Sequence, residues 1–465
     1  MEQENAKGQF NSNFGFIMAA LGSAVGLGNI WSFPYKLGEG GGFTFLLLYI
    51  ILSIFVGYPL MLTEIALGRK TRKGAIEAFT ILDRKFRING ILQTIVPFFL
   101  ICFYCAFGGY ILKYLVASVV ALFKPDASIT VTDSATYFND MVGATAPGVA
   151  WMAVFLLITL ALIIAGVSGG IEKFCIVGMP ALFFMLIIIV IRSCTLPGAG
   201  AGLDFLFKPD FSRWSTAEGL FHDLKLTGSQ MFFSLSLSAG SILAYGSYLS
   251  KEENLEKDAM VIVGGASFVA VLASMAIMPA VFAFGMEPAG GPGLLFVSMT
   301  AVFQSMGTAG KFFQLIFWIL VFFSALSSSI GMMEGGVSSV MDVREKSGKG
   351  GNNRLVVSIV MGVFAFLGNF LTTADALGKG THVRWAHILG QDSVLGVWDT
   401  VAEGILMPVT GLVMAIIIGW VKTGYLNDEI SYGREFRTIK MYNFCMKWIG
   451  PFMMALVVYG QISSL

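Results

Sequence analysis

Two stretches carry groups able to do chemistry within an otherwise apolar chain: GSAVGLGNIWSFP (residues 22–34) and SLSLSAGSILAYGS (234–247). Glycine, serine, asparagine and proline crowd together where the flanking residues call for helix. Helix broken at mid-membrane is tolerated only where the bared backbone lines a protein-enclosed cavity. Freed carbonyls there bind cations, freed N–H groups bind anions, and half-helix ends add partial charges of the matching sign. Glycines let the backbone approach a ligand closely, and Asn29 adds a neutral oxygen suited to a hard monovalent cation such as Na⁺. A third group, Ser324, Ser327 and Ser328, stands in FFSALSSSIG (322–331). The i, i+3, i+4 spacing puts all three on one helix face. Such a face either glues helices together or offers its oxygens to an ion.

The elements that must position these groups are membrane helices. The 465 residues are 56% hydrophobic and 13% charged, with a mean hydropathy of +0.76. Uncharged runs such as FTFLLLYIILSIFVGYPLML (43–62) read as transmembrane helices. The pattern predicts an all-α polytopic membrane protein of one domain with eleven spans, at roughly 13–37, 42–67, 91–122, 149–166, 171–193, 217–249, 258–286, 309–341, 354–371, 394–421 and 438–462. The interrupted first and sixth spans lie five apart and so enter the membrane from opposite sides. That predicts a five-plus-five inverted repeat (about 13–193 and 217–421) with broken helices 1 and 6 and an extra helix at about 438–462. The first loop holds seven Lys and Arg residues, and Arg344, Lys346, Lys349 and Arg354 lie in a loop on the same side. The positive-inside rule makes that side cytoplasmic, with the N-terminus inside, the C-terminus outside and the protein in the cell membrane. Residues 286–310, rich in Gly and Pro with apolar patches, suggest a short helical hairpin as an outer lid. No removable signal peptide is expected from MEQENAKGQF. Cys102 and Cys105 read as small residues packed in an apolar helix. A net charge of +1 gives no sign of nucleic-acid binding, no obligatory protein partner is evident, and no catalytic triad, phosphate loop or metal cluster points to an enzyme.

AVGLGNIWSFPY (24–35), EIALGR (64–69), GSQMFFSLSLSAGSILAYGSYL (228–249) and FFSALSSSIG resemble the neurotransmitter:sodium symporters. The likeness covers nearly the whole chain and is nearest to bacterial amino-acid transporters with the leucine-transporter fold. It implies a Na⁺-coupled symporter importing an amino acid by alternating access. Two sodium sites are implied. One takes the carbonyls of Gly22, Val25 and Ser324 and the hydroxyls of Ser327 and Ser328. The other takes the Ala24 carbonyl, the Asn29 side chain and both oxygens of Ser234; the family's further Asn is Ala266 here, which leaves Ser267 or a water to substitute. Chloride stays open: Tyr49, Gln230 and Ser234 match the chloride-dependent relatives, their helix 7 ligands are missing, and Ala270 stands where chloride-independent relatives often carry a carboxylate. Glu64 resembles a family carboxylate near the broken sixth helix, where its implied role is to hold unwound backbone.

For the substrate, the resemblance points to Gly26, where monoamine carriers have Asp. An amino acid brings its own carboxylate, to be met by the N–H groups of Leu27 and Gly28 and the Tyr104 hydroxyl. Its ammonium would meet the carbonyls of Ala24, Phe233 and Ser234, with Ser236. Leu100, Tyr104, Phe233, Ala239, Ser328 and Met332 would enclose its side chain; none is charged, so a hydrophobic one is expected. Ala239 replaces a Phe of the leucine carrier and leaves room for something larger. The outer ion pair of the family is expected to be absent, its Arg position being Ser32 and its acid position falling near Gly396. Lys7, Phe10, Ser247, Tyr248 and Asp342 match the inner gate, and Gly170 and Pro180 match a helix 5 unwinding motif. Two alternatives stay open: a same-fold carrier of an osmolyte or β-amino acid such as taurine, and a sensor that no longer moves its ligand.

Overall fold

The computed structural model describes residues 10–124, 134–166, 171–348, 354–380 and 388–463. Among these, nine continuous helices are long and apolar enough to cross a bilayer: Phe43–Thr71, Arg84–Phe123, Thr145–Ala165, Glu172–Cys194, Leu255–Ala283, Thr308–Lys346, Arg354–Gly378, Val394–Val421 and Ile439–Ile462. With the broken first and sixth spans they make the second to fifth and seventh to eleventh spans. The first runs Asn13–Ala24, then Gly28–Glu39, the halves bent by 45°. The sixth runs Ala217–Ser234, then Ser241–Gly246.

The breaks follow from local chemistry. Ser12 caps the first half-helix by accepting the Gly15 N–H at 2.9 Å. Val25 then leaves helical geometry with ψ 69°. In the sixth span, Ser236 and Ser238 take positive φ (52° and 58°) ahead of Gly240 (71°). Non-glycine residues held there cost of order 1–3 kcal/mol each and persist only where their surroundings over-determine them.

Wide π-helical turns interrupt the first, second, tenth and eleventh spans. Gly28–Ser32, Ser53–Gly57, Thr400–Leu406 and Cys445–Ile449 each run directly into a helix with proline in its first turn: Pro34, Pro59, Pro408 and Pro451. A proline within a helix has no N–H to give and pushes against the carbonyl four residues back. A widened turn ahead of it absorbs both defects.

The ninth span shows which way the bundle faces. Leu355, Val356, Ile359, Val360, Val363, Phe364, Leu367 and Phe370 are exposed, while Ser358, Asn369, Thr372 and Thr373 are buried. An apolar outer stripe over a polar inner face suits lipid outside and protein inside. The stretch expected to form a hairpin, residues 286–310, holds one arm of it. Helix Leu294–Ser305 turns at Met306–Gly307, and the second arm is the beginning of the eighth span, Thr308–Lys346.

One seam is unusually tight. A Cβ at Gly68 would overlap the Leu243 carbonyl, and one at Gly246 would lie 2.6 Å from the Ile65 carbonyl. Only glycines let the second span and the second half of the sixth touch backbone to backbone. Beside this seam, buried Arg69 donates to Glu429 (Nε–Oε1 2.7 Å) and to the Lys251 and Glu253 carbonyls (3.2 and 2.8 Å).

Candidate functional site

The break in the first span faces the serine side of the eighth. Ser324 Oγ donates to the Val25 carbonyl at 2.6 Å, Ser327 Oγ to that of Gly22 at 2.8 Å, and Ser328 Oγ to those of Gly22 and Ser23 at 3.0 and 2.9 Å. All five residues singled out for one ion, Gly22, Val25, Ser324, Ser327 and Ser328, are thus brought together. Ser324, Ser327 and Ser328 are all buried. The donor set is neutral oxygen throughout, the chemistry of a hard monovalent cation rather than of a transition metal.

The second group divides in two. Asn29 Nδ2 donates to the Ala266 carbonyl at 2.8 Å, so Ala266 takes part through its backbone where its side chain offers nothing. Asn29 Oδ1 is buried with no hydrogen-bond partner among the described residues. Ser267 turns to another neighbourhood, where its hydroxyl, with those of Ser53 and Ser234, faces Tyr49. The Tyr49, Ser53 and Ser267 hydroxyls are buried and lack partners among the described residues. Gln230 locks the adjoining backbone: Nε2 donates to the Gly28 carbonyl (2.7 Å) and Ser234 Oγ (3.0 Å), while Oε1 accepts from Ser32 (2.8 Å).

Between these groups lies a small cavity lined by Ser23, Ala24, Gly26, Gly28, Leu100, Tyr104, Phe233, Ser236, Ala239, Ser328, Met332 and Met407. Its room is about 10 Å³, near the least that holds a single water. A Cβ at Gly26 would overlap Ser328 Oγ and lie 2.7 Å from the Tyr104 hydroxyl, so this backbone has no space for an acidic side chain there. The Leu27 N–H donates to Tyr104 Oη at 3.1 Å, and Ser236 Oγ donates to the Ser23 carbonyl at 2.8 Å. Glu64 accepts the Ser238 N–H at 2.5 Å, holding unwound backbone of the sixth span. Ser23 and Met407 are pocket residues that the sequence reading missed.

One end of the bundle carries an ion pair at positions other than those considered from the resemblance. Ser32 carries no charge, yet an ion pair between the first and tenth spans exists. Lys36, one turn beyond Ser32, lies 2.7 Å from Glu403 Oε2 and 3.5 Å from Asp399 Oδ1. Lys36 and Glu403 are buried. A charged residue inside a membrane span marks function by default, and that rule alone would have found both. The acid position that the resemblance put near Gly396 thus lies beside acids further along the same span, Asp399 and Glu403.

The model of the sodium:neurotransmitter symporter family matches residues 7–130 and 134–465. The chain belongs to that family. An uncharacterized sodium-dependent transporter of Haemophilus influenzae is 33% identical over 97% of this chain and 98% of its own. The human sodium- and chloride-dependent taurine transporter is 26% identical over 79% of this chain and 66% of its own. The crystal structure of MhsT in complex with L-phenylalanine superposes with a TM-score of 0.89 at 31% identity, covering 98% of this chain and all of MhsT. The protein is thus a polytopic helical transporter of the sodium:neurotransmitter symporter family.

At the other end of this symporter, Phe10 packs edge-on against Phe16, Tyr245 and Tyr248, with ring centroids 5.6, 5.9 and 6.4 Å apart. Tyr248 donates to Glu334 at 2.6 Å, and Arg354 pairs with the same carboxylate. This buried Glu was also missed, and also legible as an intramembrane charge. The Ser247 hydroxyl donates to the Ala244 carbonyl of its own helix at 2.6 Å, and the Ser247 carbonyl accepts from Arg72 at 3.3 Å. Asp342 accepts the Gly74 N–H at 2.5 Å and lies 3.5 Å from Lys73. Lys7 and Gly170 lie outside the described residues; Pro180 sits within the fifth span. Asparagine keeps an acceptor for the Gly74 N–H and loses only the charge, the difference between a bond of about 1.5–3 kcal/mol and one of about 0.5–1.5 kcal/mol; the resulting change of about 1–1.5 kcal/mol shifts an equilibrium roughly five- to tenfold. We therefore predict that Asp342→Asn makes Ser247→Cys, in a protein otherwise free of cysteine, label several-fold faster with an impermeant thiol reagent applied at this end. An unchanged rate would remove Asp342 from the gate.

Proposed function

We propose that the protein couples sodium entry to import of an amino acid with a large hydrophobic side chain, by alternating access. One observation carries the reading: the break of the first span sets carbonyl oxygens against three serine hydroxyls of the eighth, directly beside a pocket without charged side chains whose Gly26 backbone admits no carboxylate. A substrate at Gly26 has to supply its own acid, and an α-amino acid does so. The L-phenylalanine in the MhsT complex supports the apolar preference. In this reading Gly22, Val25, Ser324, Ser327 and Ser328 hold one sodium; Ala24, Asn29 and Ser234, with the substrate carboxylate, hold another. The seven-cation first loop supports a cytoplasmic N-terminus.

Chloride joins the proposal on the hydroxyls of Tyr49, Ser53 and Ser267. Buried hydroxyls without acceptors suit an anion, and Ala270 puts no carboxylate nearby.

Uptake into proteoliposomes tests both. Labelled Leu or Phe should enter only with inward Na⁺, and Trp, Phe, Leu and Met should compete better than Gly, Ala or taurine. Replacing chloride by gluconate should slow uptake. A preference for taurine, which the human relative carries in its name, would replace the substrate class. Uptake indifferent to chloride would remove the anion site, and binding without uptake would make the protein a sensor.

A further inference from the structure

We propose that Met407 of the tenth span forms the far wall of the side-chain pocket and sets which side-chain sizes the carrier accepts. The proposal rests on the reading above of this pocket as the substrate site. The other lining residues come from the first, third, sixth and eighth spans, and Met407 adds a fifth element.

Three observations place it. Met407 is fully buried and lines the same cavity as Ala239 and Met332. Three residues further on, the single Thr410 hydroxyl hydrogen has three carbonyl acceptors within reach, Leu406 (2.8 Å), Met407 (3.1 Å) and Ser238 (3.3 Å). That hydroxyl fastens the tenth span to the residue immediately before Ala239, and the Ser238 N–H is held in turn by Glu64. The π-turn Thr400–Leu406 ends at Met407, and Pro408 follows, so the backbone at this point is widened and then fixed.

The consequence is steric. At position 239 the sixth span offers only a methyl group, and the wall behind that gap belongs to the tenth span. With about 10 Å³ of room, no side chain of leucine size enters unless part of the lining yields. Methionine is unbranched, with three rotatable bonds and a polarizable sulfur, so it re-packs with less strain than a branched or aromatic residue. Met332 and Met407 face the cavity together, so a large substrate makes its own room by moving them. Size selection is then a property of two compliant walls on the eighth and tenth spans, not of a rigid slot in the sixth.

The test compares wild type with Met407→Ala, Met407→Leu and Met407→Phe in proteoliposomes, using the labelled amino acid that wild type takes up best. Gly, Ala, Leu, Phe and Trp serve as competitors, at saturating Na⁺. Met407→Ala should move the Trp-to-Ala potency ratio about tenfold toward Trp. Met407→Phe should move it about as far toward Ala, and Met407→Leu should stay near wild type. The sodium concentration for half-maximal uptake should change less than twofold in all three. A variant that scales every competitor by one factor, or an unchanged ranking in Met407→Ala and Met407→Phe, overturns the proposal. Should the alanine variant fail to fold, the leucine and phenylalanine variants still set the direction of the shift. Failure of the broader reading looks different. Taurine ranking first in wild type removes the hydrophobic amino acid, whereas a wild type that ranks Phe or Leu first while its variants fail to re-rank removes only the wall.

Discussion

Replacing Ser327 and Ser328 together by alanine should abolish sodium-driven uptake while leaving the helices in place. In the structure these hydroxyls reach the Gly22 and Ser23 carbonyls at 2.8–3.0 Å, and rotating their hydrogens away turns the same oxygens toward a cation among them. Each oxygen contact to a charged group contributes about 1.5–3 kcal/mol. Losing two costs about 3–6 kcal/mol of sodium binding, or roughly two to four orders of magnitude in affinity. No practical sodium gradient compensates. Folding tolerates the change, because alanine is the best helix former and its small side chain keeps the packing. Ser324→Ala should do less harm, since the share proposed for that residue is its backbone oxygen, and its hydroxyl only bonds Val25. Uptake measured across a sodium titration, with melting of the purified variants as the folding control, checks this. Undiminished uptake in the double variant would sink the assignment.

Lys36→Met should cost stability that a second substitution restores. Glu403 is fully buried, Lys36 is its 2.7 Å partner, and Glu403 Oε1 has no hydrogen-bond partner among the described residues. Removing one member of a buried ion pair strands the other and costs about 3–5 kcal/mol, whereas removing both is far milder. Lys36→Met alone should therefore lower the melting temperature sharply. Lys36→Met with Glu403→Gln should recover most of the loss, and Glu403→Gln alone, which keeps hydrogen-bonding capacity beside Lys36 and Asp399, should fall between. Equal melting of the single and double lysine variants would show that the two side chains are not energetically coupled. A coupled result makes this pair, one turn out from the position first considered, a tie between the outer halves of the first and tenth spans.

What the sequence discloses and what it hides divide along a physical line. The breaks at Gly22–Gly28 and Leu235–Gly240 are legible because glycine and serine act locally, and the serine face of the eighth span is legible because that stretch keeps an unbroken α-helical period. Lys36 and Glu403 are legible as charges inside spans; their pairing, and the facing of Met407, are hidden because the first and tenth spans carry π-turns at Gly28–Ser32 and Thr400–Leu406. A wide turn shifts every later residue around the helix, so the α-helical period assigns faces wrongly beyond it. The pair Ala266 and Ser267 escapes for a different reason. Adjacent residues on one helix point to different neighbours, and here the first serves through its carbonyl while the second joins Tyr49. No residue type announces a backbone role.

The seam at Gly68 and Gly246 has a mechanical meaning. Two helices touching backbone to backbone cannot slide without collision. Arg69 rivets the same place to Glu429 and to the chain leading into the seventh span. The second span and the short half-helix Ser241–Gly246 are therefore coupled, and any rotation of one would carry the other with it as a lever arm. The non-helical stretch Leu235–Gly240, where two serines already sit at positive φ, would be the place for such an arm to turn. Because Glu64 on that arm grips the Ser238 N–H, a tilt of the arm is delivered directly to the floor of the pocket.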